Sequence, residues 1–154
     1  MADRRNIVMV ASECAPLVKT GGLADVVGAL PAALKELGHD VIVVLPKYAA
    51  LKLTHAPVEP VITPMGVWMG DVLEWCAVYR TFLKGDIPVY LVESKKYFDR
   101  SGLYHDAAYN DYLDNPRRFA FFTRAALQLC RDLPFKPDIV HLHDWQTALG
   151  AAYL

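Results

Sequence analysis

The sequence predicts an α/β protein with an open, mostly parallel, Rossmann-like sheet and an inserted β-hairpin. Short runs of apolar, largely β-branched residues recur along the 154-residue chain, and several are apolar on both faces, as strands buried in a parallel sheet are. Stretches with helical periodicity lie between these runs, in the alternation typical of βαβ units. A segment with looser period-two alternation interrupts the order once.

The first strands and the helix between them form one βαβ unit. Residues 6–12 and 40–45 are apolar runs that predict two buried strands. Between them, residues 23–37 place leucine and valine at helical spacing, which predicts an amphipathic helix. Gly38 follows directly and suits a left-handed C-terminal cap, whereas Pro31 predicts a kink or a restarted turn inside the helix.

The middle of the chain departs from this alternation. Residues 57–83 alternate loosely and are interrupted by glycines, which predicts a β-hairpin or meander between the α/β units. Residues 87–92 predict another buried strand. Residues 93–115 are polar, rich in aromatic residues and irregular, and they predict a long loop of functional interest.

The last third returns to the α/β pattern. Residues 117–133 predict a second helix and residues 138–143 a further strand. Asp144 is placed to cap a helix that begins at Trp145. Because that helix is still apolar where the sequence stops, and has no stop signal, we expect the sheet to be part of something longer.

Composition limits the class of protein. The 16 Lys and Arg residues nearly balance the 17 Asp and Glu residues, which argues against a nucleic-acid partner. No apolar run approaches the roughly 18–20 residues that span a bilayer, so no membrane partner is expected. Cys14, Cys76 and Cys130 are odd in number and far apart, which predicts neither a disulfide framework nor a cysteine zinc site and favours the cytoplasm.

Two loops follow the first and last predicted strands, where ligands of open α/β sheets bind. If the sheet is parallel, residues 12–22 and 143–146 face the same crevice. Lys19 supplies a positive charge, and Gly21 and Gly22 at the helix start allow close approach to backbone amides, which suits a phosphate or diphosphate. The pattern is neither a Walker A motif nor G-x-G-x-x-G. The alternative, a tight turn beside a solvated lysine, stays open on these residues alone.

Three further features have a structural and a functional interpretation. Asp25 either complements the helix dipole or contacts a ligand hydroxyl or organises Lys19. His141 and His143 lie on one face of a strand and could hold a metal, but no third ligand is evident, so no metal is predicted. We expect His141 to pack within the sheet and His143 to be a neutral hydrogen-bonding group at its mouth. The aromatic residues 97–104 either stack a sugar ring or anchor the loop to the core.

Four blocks of sequence together resemble one known family. In chain order they are residues 10–34 with Lys19-Thr20-Gly21-Gly22, Tyr97-Phe98-Asp99-Arg100 with Gly102-Leu103-Tyr104, Asp114-Asn115 with Arg118-Phe119, and residues 138–149 with His143-Asp144-Trp145. They span nearly the whole chain. The sequence resembles the N-terminal part of bacterial glycogen synthases and plant starch synthases.

This resemblance implies a retaining glycosyltransferase of the two-domain GT-B architecture. The family transfers glucose from ADP-glucose to the non-reducing end of an α-1,4-glucan, and the resemblance implies no cofactor and no metal. Residues 1–154 would be an incomplete N-terminal catalytic domain on the acceptor side. The C-terminal nucleotide-binding domain, with its Arg/Lys pair and Glu-x7-Glu motif, is absent from these residues, so the isolated chain would be inactive.

The resemblance also implies roles for individual residues. Lys19 would hold the donor phosphates, Gly21 and Gly22 would allow their close approach, and Asp25 would support the loop or the donor. His143 would act as the catalytic residue that contacts the donor glucose. The candidates for the acceptor glucan are Tyr97, Tyr104, Asp114 and Asn115.

Other functions remain open on the sequence. The chain could belong to a GT-B transferase that uses another nucleotide sugar, or it could be a free-standing α-glucan-binding module. A metal hydrolase built on His141 and His143 requires stoichiometric zinc or manganese. The exposed edges and apolar surface of a truncated sheet also predict self-association.

Overall fold

Parallel strands at the centre of a mixed six-stranded sheet organise the computed structural model, which describes residues 3–53 and 56–154. The strands are β1 (Asn6–Val10), β2 (Asp40–Pro46), β3 (Glu59–Met69), β4 (Val72–Leu83), β5 (Ile87–Glu93) and β6 (Ile139–Leu142). Their spatial order is β3-β4-β5-β2-β1-β6. β1 runs parallel to β2 and β6, and β2 runs parallel to β5, whereas β4 is antiparallel to β3 and β5. The predicted α/β fold with a mostly parallel sheet is confirmed.

Helices cover both faces of the sheet. They are α1 (Gly22–Glu36), α2 (Lys95–Phe98), α3 (Asn115–Asp132) and α4 (Gly150–Tyr153), with a 3-10 turn at Trp145–Thr147. Alternate residues of β1 enter opposite core clusters, because successive side chains of a strand point to opposite faces. Val8 and Val10 pack in the cluster that contains Phe121 of α3, and Met9 packs with Val27 of α1. Both faces of β1 are therefore buried, as its apolar run predicted.

Helix α1 begins and ends within one residue of its predicted bounds. Gly38 has a φ of +93° and its amide donates to the carbonyl of Lys35 at 2.9 Å, so the predicted left-handed cap is confirmed. The helix runs through Pro31 as one element and does not restart there. Pro31 is buried, and it leaves one hydrogen bond of the helix unmade because a proline has no amide hydrogen to donate.

The predicted hairpin is confirmed as β3 and β4, and it belongs to the main sheet. β4 pairs with β5 from Ala77 to Leu83, so the hairpin extends the parallel region by two antiparallel strands. The turn between β3 and β4 contains Gly70, with a φ of +67°, a backbone conformation that glycine adopts without strain.

Two predictions about irregular regions are corrected. The segment 93–115, predicted as loop, includes the short helix α2. The predicted continuous helix from Trp145 is wrong, because a 3-10 turn precedes the separate helix α4. Thr147 donates its hydroxyl to the carbonyl of His143 at 2.8 Å, which tightens this turn. Asp144 caps it as predicted, accepting the Trp145 amide at 2.8 Å.

Within the described ranges, none of the helices combines the length and the apolar character needed to cross a membrane.

Candidate functional site

The loops that follow β1 and β6 leave the sheet side by side. Val10 and Leu142 are paired residues of these two parallel strands, and the amide of His143 donates to the carbonyl of Val10 at 3.0 Å. The carboxyl ends of parallel strands meet at one edge of a sheet, where ligands of α/β proteins bind. The segments that carry Lys19 and His143 therefore start from the same edge.

A buried carboxylate organises the first of these loops. Glu13 is 3% exposed, and one of its oxygens accepts the amides of Thr20 and Gly21, the latter at 3.3 Å. The other oxygen accepts the hydroxyls of Thr20 and Tyr104, both at 2.6 Å. Burial raises the pKa of Glu13, but the hydrogen bonds from Thr20, Tyr104 and Gly21 outweigh it and hold the pKa below its usual value. Glu13 is thus an ionised carboxylate that fixes the turn before α1.

Lys19 is held by Asp25 across the start of α1. Its Nζ donates to both carboxylate oxygens of Asp25 at 2.7 Å. Of the two interpretations of Asp25, this contact favours the organiser of Lys19. The two side chains are 52% and 59% exposed, and an ion pair in such a position contributes only about 0–1 kcal/mol. Lys19 can therefore turn towards an anion at little cost.

The start of α1 leaves space and backbone donors for a ligand. Gly21 is the N-cap and offers no side-chain cap, and the first-turn amides of a helix have no partner within it. Because Glu13 occupies the amides of Thr20 and Gly21, an anion would use those from Gly22 onwards. A Cβ at Gly21 or Gly22 would meet nothing within 4 Å, and neither residue has a left-handed φ. The fold itself does not require glycine here, which favours the functional interpretation of this pair.

The segment after β6 contributes two buried polar groups without partners. Nε2 of His143 and Oε1 of Gln146 have no hydrogen-bond partner among the described residues, although buried polar atoms nearly always have one. Burial, and secondarily His141, lowers the pKa of His143 to about 4. The imidazoles of His141 and His143 stack with centroids 4.0 Å apart. His143 is therefore neutral near pH 7 and able to bond a ligand.

Tyr104 joins the long segment between β5 and α3 to this edge. Its hydroxyl lies 2.8 Å from Oγ of Ser12, in addition to the bond with Glu13, and its ring centroid is 6.1 Å from that of Trp145. Burial first, and then the bond to Glu13, raises the pKa of Tyr104 far above its usual value. The phenol therefore stays protonated and donates to Glu13.

The other acceptor candidates are engaged within the chain. Tyr97 is 1% exposed and its hydroxyl bonds to Glu74. Asp114 forms a bidentate pair with Arg100 at 2.6 and 2.7 Å, and this hydrogen bonding lowers the pKa of Asp114. Asn115 is buried and donates to the carbonyl of Tyr104 at 2.8 Å. Of these three side chains, Asn115 contacts Tyr104 directly, and Tyr104 is the candidate that reaches the β1–β6 edge.

The described residues contain no group of three or more His, Cys, Asp or Glu side chains that could hold a metal ion. The three cysteines, Cys14, Cys76 and Cys130, are free and buried. Burial raises the pKa of the Cys14 thiol to about 12, so this group is protonated and poorly nucleophilic.

Sequence reasoning missed Ser12, Glu13 and Gln146 as site residues. Ser12 and Glu13 follow the buried strand β1 closely, Gln146 lies in the turn after β6, and Glu13 is a carboxylate in an apolar neighbourhood. Their position after a strand was the available signal. Their partners, Tyr104 above all, lie far away in sequence.

Comparisons with known proteins identify the family of this chain. The family profile described as the starch synthase catalytic domain matches residues 6–154. The glycogen synthase of Syntrophotalea carbinolica is 46% identical over 149 residues, and that of Geotalea uraniireducens is 48% identical over 150. These matches cover 97% and 93% of this chain but only 30% and 29% of those enzymes.

A solved structure is similar over the same extent. It is the catalytic domain of starch synthase IV from Arabidopsis thaliana bound to ADP and acarbose, with a TM-score of 0.86 and 35% identity. The match covers 97% of this chain and 30% of that one, so the chain spans about a third of the length of its relatives. With nearly all of its residues matched by the profile and by these enzymes, the chain belongs to the starch synthase catalytic domain family.

Proposed function

We propose that this chain is the N-terminal portion of a retaining α-1,4-glucosyltransferase that transfers glucose from ADP-glucose to the non-reducing end of an α-1,4-glucan. The observation that carries the proposal is the shared edge of β1 and β6, from which the segments bearing Lys19 and His143 both start. The starch synthase IV structure, which contains ADP and acarbose, supports a nucleotide donor and a glucan-like acceptor.

The reaction breaks the bond between the anomeric carbon of glucose and the diphosphate oxygen, and the same carbon forms a bond to the terminal hydroxyl oxygen of the glucan, whose proton leaves with the departing ADP. Negative charge develops on the departing diphosphate, and preorganised positive groups there lower the barrier. Lys19 and the free amides at the start of α1 supply such groups, and Gly21 and Gly22 let the phosphates approach. Asp25 holds Lys19 in place until the donor binds. The neutral imidazole of His143 would bond the donor glucose through its free Nε2.

On the acceptor side, the glucan would lie against Tyr104. Asn115 would hold the backbone of Tyr104, while Tyr97 and Asp114 would act indirectly, through their bonds to Glu74 and Arg100. We further propose that residues 1–154 form the incomplete N-terminal domain of a GT-B enzyme. Its second domain would hold the nucleotide, and the reaction would need no cofactor and take place in the cytoplasm.

The test uses the complete protein that contains this chain. We expect glucose transfer to glycogen with ADP-glucose in preference to UDP- or GDP-glucose. Lys19→Ala should lower kcat by about 100- to 1000-fold, the effect of removing one preorganised charge from a developing anion. Lys84→Ala is the matched control, because Lys84 is an exposed lysine in the turn between β4 and β5. Full activity of the Lys19 variant would contradict the proposal.

The isolated 154-residue chain should transfer no glucose, because one wall of the cleft cannot complete the site. Transfer at a rate near that of a full-length relative would overturn this expectation. Native gels that contain glycogen test the alternative of a glucan-binding module: retarded migration supports it, and unchanged mobility removes it.

A further inference from the structure

Arg118 in α3 is a buried cation without a carboxylate partner. Its side chain is fully buried, and the ion pairs formed by the described residues do not include it. It donates instead to the carbonyls of Tyr97 at 2.7 Å and Leu103 at 2.9 Å, and to Oδ1 of Asn115 at 2.6 Å. One terminal nitrogen, Nη2, has no partner among the described residues. A charge buried in this way costs stability, so its presence calls for another explanation.

Arg118 begins a chain of hydrogen bonds that ends at the turn before α1. It holds the Leu103 carbonyl directly, and it holds Asn115, whose amide donates to the carbonyl of Tyr104. Two consecutive peptide groups are thereby fixed from α3. The hydroxyl of Tyr104 then donates to Glu13, and Glu13 accepts the amides of Thr20 and Gly21.

Aromatic rings surround the guanidinium, and Asp114, whose salt bridge goes to Arg100, attracts it without forming an ion pair with it. The rings of Phe98, Tyr112 and Phe119 lie 5.7, 4.9 and 5.3 Å from Cζ of Arg118. Burial lowers the pKa of Arg118 from its usual value, but arginine remains protonated in proteins. The planar group with several fixed donors can hold three acceptors on two segments at once, which a lysine ammonium on a flexible stem does less well.

We propose that Arg118 is a positioning residue for the Lys19–Gly22 loop and acts on it through Tyr104 and Glu13. The importance of that loop rests on the proposed function, but the link itself, which is the chain of hydrogen bonds from Arg118 through Tyr104 to Glu13, does not. Fixing Tyr104 from α3 keeps Glu13 in register with the amides of Thr20 and Gly21, and so sets the backbone position of Lys19 and of the first free amide of α1, while the Lys19 side chain stays mobile.

Hydrogen exchange of individual amides, followed by NMR on the 154-residue protein, tests this link without any ligand. Tyr104→Phe removes the hydroxyl but keeps the ring packed. It should accelerate exchange at Thr20 and Gly21 about tenfold, the effect of losing one hydrogen bond to a charged group. Tyr112→Phe is the matched control, because the Tyr112 hydroxyl bonds to the Gly102 amide in the same segment and not to Glu13. It should leave both amides unchanged.

The decisive measurement combines two substitutions. Arg118→Lys should accelerate hydrogen exchange at the amides of Thr20 and Gly21 more than at the core amide of Val43. In the Tyr104→Phe background it should add less than twofold at these two amides, because the link is already cut. Should Arg118→Lys fail to fold, Asn115→Ala replaces it with the same expected results.

Two outcomes overturn the proposal. One is that Arg118→Lys accelerates hydrogen exchange at the amides of Thr20 and Gly21 no more than at the amide of Val43. The other is that the effects of Arg118→Lys and Tyr104→Phe multiply in the double variant. Because no ligand is used, either outcome would leave the proposed glucosyl transfer standing, and a failure of glucosyl transfer would leave the link intact.

Discussion

Replacing Glu13 by glutamine tests the central role of its buried carboxylate. Glu13 accepts four hydrogen bonds, two from amides that cannot rotate and two from hydroxyls that can. In Glu13→Gln the carbonyl oxygen can still accept the amides of Thr20 and Gly21, while the NH2 group faces the two hydroxyls, which can turn to accept. The variant should therefore fold, with four neutral bonds in place of four charge-assisted ones.

The expected cost follows from the difference between these kinds of bond. A hydrogen bond to a charged group contributes about 1.5–3 kcal/mol and a neutral one about 0.5–1.5 kcal/mol, so four bonds lose about 4 kcal/mol. Relief from burying a charge offsets about half of this loss, which leaves about 2 kcal/mol. For a domain of about 150 residues this loss lowers Tm by about 4–8 °C at pH 7.

The stability that the Glu13 carboxylate contributes depends on pH, and the direction of this dependence can be predicted. The pKa of Glu13 is lower in the folded protein than in the unfolded chain. Its ionisation therefore stabilises the fold above the unfolded value of about 4.3, and this contribution is lost as the pH falls through the folded value. The Tm difference between the wild type and Glu13→Gln should be largest at pH 6–7 and shrink below about pH 4.

Thermal unfolding from pH 3 to 8, followed by circular dichroism, measures this difference. Glu36→Gln is the control, because Glu36 is exposed on α1 and has no hydrogen-bond partner among the described residues. Its Tm should follow that of the wild type at every pH. Equal Tm values for Glu13→Gln and the wild type at pH 7, or a deficit that stays constant down to pH 3, would refute the reasoning.

Three further predictions concern single positions. In urea unfolding, the free energy of unfolding of Gly21→Ala and Gly22→Ala should stay within about 0.5 kcal/mol of the wild type. Gly28→Ala should lose about 1–3 kcal/mol, because its Cβ would lie 2.6 Å from a backbone oxygen. Equal losses at all three positions would contradict this. The ring protons of His143 should show no NMR titration above about pH 5, since the pKa of His143 is about 4. The stability of the fold should fall as the pH drops from about 6.5, the value in the unfolded chain, towards pH 4. A titration midpoint of His143 near pH 6.5 would contradict this. Ile139, 45% exposed on the edge strand β6, should support self-association. Ile139→Lys should therefore lower the mass measured by light scattering at high protein concentration. An unchanged mass would exclude the β6 edge as the site of self-association.

The parts of the fold that were predictable are those with a local signal. The apolar runs of β1, β2 and β5 and the periodicity of α1 and α3 reflect burial along one element, and that pattern is visible in a short window of sequence. The 3-10 turn at Trp145 was not visible, because it depends on a side-chain bond from Thr147 and on the position of Asp144 after β6. The spacing of apolar residues alone does not distinguish a 3-10 turn from the first turn of a continuous α-helix.

The candidate site was predictable only in part, for the same reason. Lys19, Gly21, Gly22 and Asp25 are neighbours in sequence and could be grouped from it. The contact between Glu13 and Tyr104 spans 91 residues and leaves no periodic trace in either segment. Arg118 likewise looks like one polar position in an amphipathic helix until its three acceptors are known.

The site separates a rigid part from a part that moves at little cost. Glu13, buried and bonded four times, fixes the turn so that an anion meets amides already in place, and little entropy is lost when it binds. Lys19 is fixed only by an exposed ion pair with Asp25, which contributes about 0–1 kcal/mol. In the proposed reaction a diphosphate would offer Lys19 at least as much negative charge as Asp25 does, so moving the ammonium group from the carboxylate to the diphosphate would change the free energy little. Binding energy would then be available for the rest of the proposed donor, because neither the loop nor the lysine would require much of it for rearrangement.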